Sequence, residues 1–135
     1  RWRSHLWCQR CLAAGPAATT AGSGNAELVI LGVMNMSILL QVDFPYAGPW
    51  GEAMSEAMRG LAESIAQEPG LIWKIWTENP ASGEAGGIYL FADRASAEAY
   101  LAMHTARLKS FGIAQVNGKL FEVNDSLSAI DRAPL

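Results

Sequence analysis

Cysteine is scarce in this chain, positive charge is in deficit, and long apolar runs are missing. Of 135 residues only two are Cys, Cys8 and Cys11, both near the start. A disulfide-stapled secreted fold needs several pairs spread along the sequence, so that class is excluded. Lys and Arg number 10 against 13 Asp and Glu, a formal net charge of −3. A nucleic-acid binder working through phosphate charge needs clustered cations, so no nucleic-acid partner is expected. The longest nearly continuous apolar run, Leu28 to Val33, is broken by Gly32 and falls far short of the ~20 residues that cross a bilayer, so no membrane partner is expected either. There are only two His, His5 and His104, and no second Cys or His pair to complete a four-ligand zinc site around the C-x-x-C of Cys8 and Cys11. Neither G-x-G-x-x-G nor a Walker lysine occurs, so no nicotinamide, flavin or metal cofactor is expected.

What is present is one domain's worth of patterned sequence. Half of the residues are apolar and 17% are charged, which fits a globular chain with a substantial core. The composition changes near residue 35. Residues 1–35 carry net positive charge and include LAAGPAATTAGSGNA, a run with little to bury. They are expected to be a tail or extension, with the domain spanning 36–135. LWCQRCLAAG is too short and too polar for the apolar region of a secretory signal, which places the expected protein in the cytoplasm.

From Ser37 the periodicity is regular. SILLQVDF alternates Ile38, Leu40, Val42 and Phe44 against Leu39, Gln41 and Asp43, a strand pattern. Pro45 to Pro49 ends it. Trp50, Met54, Ala57, Leu61 and Ile65 then recur at helical spacing until Pro69-Gly70. Leu71–Glu78 and Gly86–Ala92 read as two strands, joined by the Asn79-Pro80 turn into a hairpin. Asp93 suits the N-cap of a helix over Arg94–Ser110, whose apolar stripe is Ala97, Leu101, His104, Leu108 and Phe111, with Tyr100 and Arg107 at its edge. Ile113–Asn124 reads as a fourth strand bent near Asn117-Gly118, and Leu127–Asp131 as a short helical turn. The order β-α-β-β-α-β predicts an α+β, ferredoxin-like fold with both helices on one sheet face. The two central strands are apolar on both faces, so a homodimer joined through the uncovered face is expected.

Six stretches carry a resemblance: LLQVDF, GPWGEAM, LAESIAQEPGLIWKIWTE, EAGGIYLF, AEAYLAMHTARLKSFG and FEVNDSLSAI. Over residues 36–135 the chain resembles the YdhR-type mono-oxygenases of the dimeric α+β-barrel superfamily. The resemblance implies a dimeric α+β barrel and a cofactor-independent mono-oxygenase that oxidises a small aromatic or quinol-like compound with O2. Two other readings stay open: a non-catalytic module that shelters an apolar metabolite, and a haem-binding degrader. Some haem degraders carry an Asn on the first strand, where this chain has Gln41.

A cofactor-free oxygenase needs an apolar cavity and a base that makes the substrate anion. His104, the one histidine in the patterned region, is the candidate base. Arg107 is a candidate for stabilising an enolate, phenolate or peroxide anion, and Glu84 for orienting His104 or Arg107. Trp73, Trp76, Tyr89, Tyr100 and Phe44 are the candidate substrate-binding surfaces. Each has a structural alternative: His104 as a hydrogen-bonded core residue, Arg107 as an ion-pair partner of Glu84 or Glu98, and the aromatics as core or interface packing. Gly86-Gly87 fits a bulge or a close backbone approach rather than a phosphate loop.

One expectation is directly measurable. Deleting residues 1–33 leaves the melting temperature nearly unchanged; a drop of many degrees in differential scanning calorimetry would place that segment in the fold.

Overall fold

A computed structural model describes residues 36–135. The expected tail, the Cys8 and Cys11 pair and Leu28–Val33 lie outside the described residues. The elements are β1 (Ile38–Pro45), α1 (Gly51–Ile65), β2 (Leu71–Asn79), β3 (Glu84–Phe91), α2 (Arg94–Ser110), β4 (Asn117–Glu122) and α3 (Asp125–Ile130). The strands form one antiparallel sheet in the order β2-β3-β1-β4. This is the ferredoxin-like α+β arrangement that the patterning predicts. Each β-α-β connection skips one strand, so β1 and β3 take the centre and β2 and β4 the edges.

Alternation on β1 decides which face is which. Ile38, Leu40, Val42 and Phe44 are buried toward the helices, where Tyr89 and Phe91 of β3 join them. Leu39, Gln41 and Asp43 face the other side. The bulge lies on β2, between Leu71 and Trp73, and not at Gly86-Gly87. It gives Leu71 to the helix side, leaves Ile72 half exposed, and sets Lys74 and Trp76 opposite Tyr89 and Gly87. The two glycines instead mark close approaches. A Cβ on Gly86 would collide with the Val42 carbonyl oxygen.

α2 is capped as its sequence predicts, with the Asp93 carboxylate accepting from the Ser96 N–H at 2.7 Å. Its buried stripe is Ala97, Tyr100, His104 and Leu108. Tyr100 therefore belongs to the core rather than to the edge, and Phe111, expected inside, is 61% exposed just past the helix end. α1 packs through Met54, Met58, Leu61 and Ile65, while Ala57 of the expected stripe is exposed. Its first N–H, on Gly51, donates to the Glu78 carboxylate of β2 at 3.1 Å, a cap supplied from another element. β4 is shorter than predicted. Residues 113–116 form no strand, and pairing with β1 starts at Asn117, whose side-chain amide donates to Asp43.

The face away from α1 and α2 is partly covered by the chain itself. After β4 at one edge, α3 and the last residues run back to β2 at the other, where the Trp73 indole N–H donates to the Pro134 carbonyl at 2.6 Å. Leu90 on that face is wholly buried, yet Ile75 and Phe121 stay 53% and 45% exposed.

Two glycine substitutions test this account. Gly86→Ala drives a methyl into the β1 backbone and destabilises by about 3 kcal/mol or more. Gly60→Ala, inside α1 with open space around it, stabilises by about 0.5–1 kcal/mol. Urea denaturation of both variants reads the two signs.

Candidate functional site

α1 does not close onto the sheet, and a cavity of about 750 Å³ remains beneath it. Phe44, Lys74, Trp76 and Tyr89 rise from the sheet; Met54, Met58 and Leu61 descend from α1; His104 and Leu108 come from α2; Phe111, Ile113 and Gln115 close one end. That volume and apolar lining suit a two- or three-ring molecule. Trp76 also borders a neighbouring cleft between α1 and β2.

Lys74 is the residue that the sequence reading missed. Gly87 makes room for it, since a Cβ there would sit 2.7 Å from the Lys74 Cε. The ammonium lies 3.3 Å from the centroid of the Trp76 ring and 4.7 Å from that of Tyr89. Burial first, and the Arg107 charge second, bring its pKa down to about 7. The signal was a lone Lys within LIWKIW, sharing a strand face with Trp76.

His104 is 3% exposed. Arg107 approaches its Nδ1 with Nη2 at 2.9 Å and Nε at 3.3 Å. A guanidinium only donates, so Nδ1 holds the lone pair and the ring proton sits on Nε2. Burial, then the charges of Arg107 and Lys74, lower the imidazole pKa to about 4. The ring stacks on Tyr100 at 5.0 Å, and the Tyr100 hydroxyl donates to that of Tyr89 at 3.2 Å. Burial pushes both phenols up, foremost in each case. In this geometry Arg107 occupies the Nδ1 lone pair, so the neutral ring presents its Nε2–H.

The other expected residues divide clearly. Phe44, Trp76, Tyr89 and His104 meet at the cavity, with Tyr100 and Arg107 stacked or hydrogen-bonded behind His104. Trp73 points to the opposite sheet face and is engaged with Pro134, so it contributes no cavity wall. Glu84 neither lines the cavity nor orients His104 or Arg107. It pairs with Pro45 and Asn79, accepts from the Ser82 hydroxyl at 2.9 Å, and borders a small cleft with Asp43 and Glu78. Among the described residues Arg107 forms no ion pair; Glu98 is instead 3.6 Å from Arg94. Tyr46, unremarked in the sequence, lines the cavity and carries a buried hydroxyl without a partner among the described residues. Burial, then the Glu78 charge, raise its pKa. No group of three or more His, Cys, Asp or Glu is placed to hold a metal among the described residues.

The profile of the family described as "Putative mono-oxygenase ydhR" matches residues 39–134. No curated protein matches the chain.

The buried lysine predicts a pH-dependent stability difference. Its folded pKa lies below its unfolded one, so the unfolded chain binds the extra proton between about pH 7 and 10.5. Stability from this group is therefore fully present above that window and is lost as pH falls toward 7. Lys74→Met raises the melting temperature at pH 7 by several degrees more than at pH 10; an equal shift at both would contradict the burial cost.

Proposed function

From the premise that the chain belongs to the ydhR mono-oxygenase family, we propose that it oxidises a small aromatic or quinol-like substrate with O2 in the cavity beneath α1. The observation that carries this reading is the joint presence there of a lysine titrating near neutral pH and an imidazole fixed as an N–H donor. The neutral Lys74 amine takes a proton from an acidic O–H or C–H of the substrate. The resulting oxyanion meets the new ammonium and the His104 Nε2–H. An electron-rich anion of this kind reduces O2. One oxygen atom enters the ring as a carbonyl, the other leaves as water, and the substrate gives up two hydrogens. Trp76, Tyr89 and Phe44 supply flat surface for the ring, while Arg107 positions His104 by holding its tautomer.

The working unit in this proposal is a homodimer. Ile75 and Phe121 lie exposed on the sheet face away from the cavity, and Leu127 and Ile130 of α3 are exposed as well. A second copy seated on that face removes apolar surface from water. Sedimentation at micromolar concentration gives a dimer on this reading and a monomer near 14.5 kDa against it.

Oxygen uptake with a panel of anthrones and naphthols tests the chemistry. Lys74→Met lowers turnover by ~10²–10⁴-fold in a folded protein. His104→Gln keeps most of the rate, because an amide N–H still donates, whereas His104→Ala loses ~10²-fold or more. Full turnover in Lys74→Met removes the lysine from the mechanism. Saturable binding of the same compounds with no oxygen uptake assigns the cavity to a binding module instead.

A further inference from the structure

The cavity is one-sided in charge. Lys74 contributes an ammonium and His104 an N–H donor, yet no Asp or Glu lines the walls. Among the described residues Lys74 has no carboxylate partner, and its head rests on the faces of Trp76 and Tyr89. A cation held only by rings in a half-open, largely apolar cavity is under-compensated, since such contacts offset only part of the hydration it loses. The groups around it are Trp76 from its own strand, Tyr89 from β3, His104 and Arg107 from α2, and Tyr46, which lines the same cavity; Glu78, four residues on along β2, borders the neighbouring cleft and accepts from the Gly51 N–H. From α1 the cavity receives Met54, Met58 and Leu61, all uncharged; Glu52 and Arg59 border the neighbouring cleft instead.

We propose that the ligand of this cavity is an aromatic carboxylate, whose ring lies among Trp76, Tyr89 and the methionines of α1 while its carboxylate pairs with Lys74 and accepts from His104 Nε2. This rests on the same cavity being the substrate site: a carboxylate so held keeps Lys74 as ammonium and occupies the His104 N–H, so the acid competes with the oxidised substrate for both groups. The pairing is charge-assisted and lies against the apolar walls of the cavity, where it is stronger than at an open surface. It carries a thermodynamic signature. An anion beside Lys74 favours the charged amine, so binding above neutral pH draws a proton into the site. At pH 8 a group with pKa about 7 is mostly neutral, and forming the pair takes up most of one proton. His104 titrates near 4 and contributes no proton there.

Isothermal titration calorimetry with 2-naphthoate and with 2-naphthalenemethanol separates the outcomes. Expected at pH 6 is at least tenfold tighter binding of the acid. Above pH 7 its affinity falls toward tenfold per pH unit, while the alcohol's affinity stays level. At pH 8 the acid's heat varies with buffer ionisation enthalpy by the equivalent of that proton. Lys74→Met binds both compounds alike. Lys74→Arg keeps the preference for the acid but loses the pH dependence and the proton uptake, because its charge does not titrate. Equal binding of acid and alcohol by the unaltered chain overturns the proposal, as does a preference for the acid that survives in Lys74→Met. Oxygen uptake with an uncharged anthrone, measured on the same preparation, tests the oxidation separately. Turnover there without acid preference removes the carboxylate and leaves the oxygenase; acid preference without turnover on any acid or anthrone does the reverse.

Discussion

Two consecutive side chains are missing at the centre of the sheet, and the site is built on that gap. β3 is the inner partner of both β1 and β2, and at Gly86 its backbone runs so close to Val42 that no Cβ fits. One residue on, Gly87 leaves open the patch over which the Lys74 stem lies. A larger residue at either place has a different cost. At Gly86 it forces apart the central strands, since the obstacle is backbone; at Gly87 the obstacle is a flexible side chain, so the lysine moves and the cavity loses its cation.

The placement of that lysine sets the electrostatics around it, and magnitudes decide the result. Moving its pKa from 10.5 to about 7 reflects a penalty on the charged form of order 3–5 kcal/mol. Contact with an aromatic face recovers ~0.5–2 kcal/mol. The rings therefore hold the ammonium in place without fully compensating it, and the amine titrates near neutral pH. The Arg107 charge adds to the penalty and reappears at His104, where it acts twice. Its field disfavours imidazolium, and its N–H groups occupy Nδ1. Arginine thereby leaves the imidazole presenting an N–H, while the amine of Lys74 keeps a lone pair near neutral pH. The aromatic stack of His104, Tyr100 and Tyr89 then fixes the ring's orientation.

Period-two and period-3.6 patterns made the architecture legible, because Ile38, Leu40, Val42 and Phe44 have only one buried face to share and α2 announces its start with Asp93. They were less informative where elements meet. Periodicity shows that Tyr100 and His104 share a helix face but not how deep that face sits, so Tyr100 was misplaced at an edge. The bulge between Leu71 and Trp73 has no local signature, although it fixes the phase of every residue on β2 at its start. Four of the expected site residues, Phe44, Trp76, Tyr89 and His104, do converge on the cavity. Trp73 and Glu84 do not, since residue type suggests chemistry while strand phase and strand position decide where it is available. The tautomer of His104 was beyond any sequence argument, because it depends on a contact made only once α2 is wound.

β2 is an edge strand, yet it carries the lysine that gives the cavity its cation. Edge strands have neighbours on one side only, and their side chains are correspondingly less well fixed. Here the strand is pinned from both faces. Trp73, next to Lys74 and pointing the other way, is tied to Pro134 in the returning C-terminal segment. Glu78, on the cavity side, is tied to the first N–H of α1. Alternation makes the two ties complementary, because neighbours on a strand take opposite faces. The segment crossing the far face therefore bears on the cavity it never touches. Loosening Trp73 from Pro134 frees the strand beside Lys74, and loosening Glu78 from Gly51 frees the helix that roofs the cavity. The position of the titrating amine is thus a property of the whole two-sided sheet rather than of the cavity walls alone.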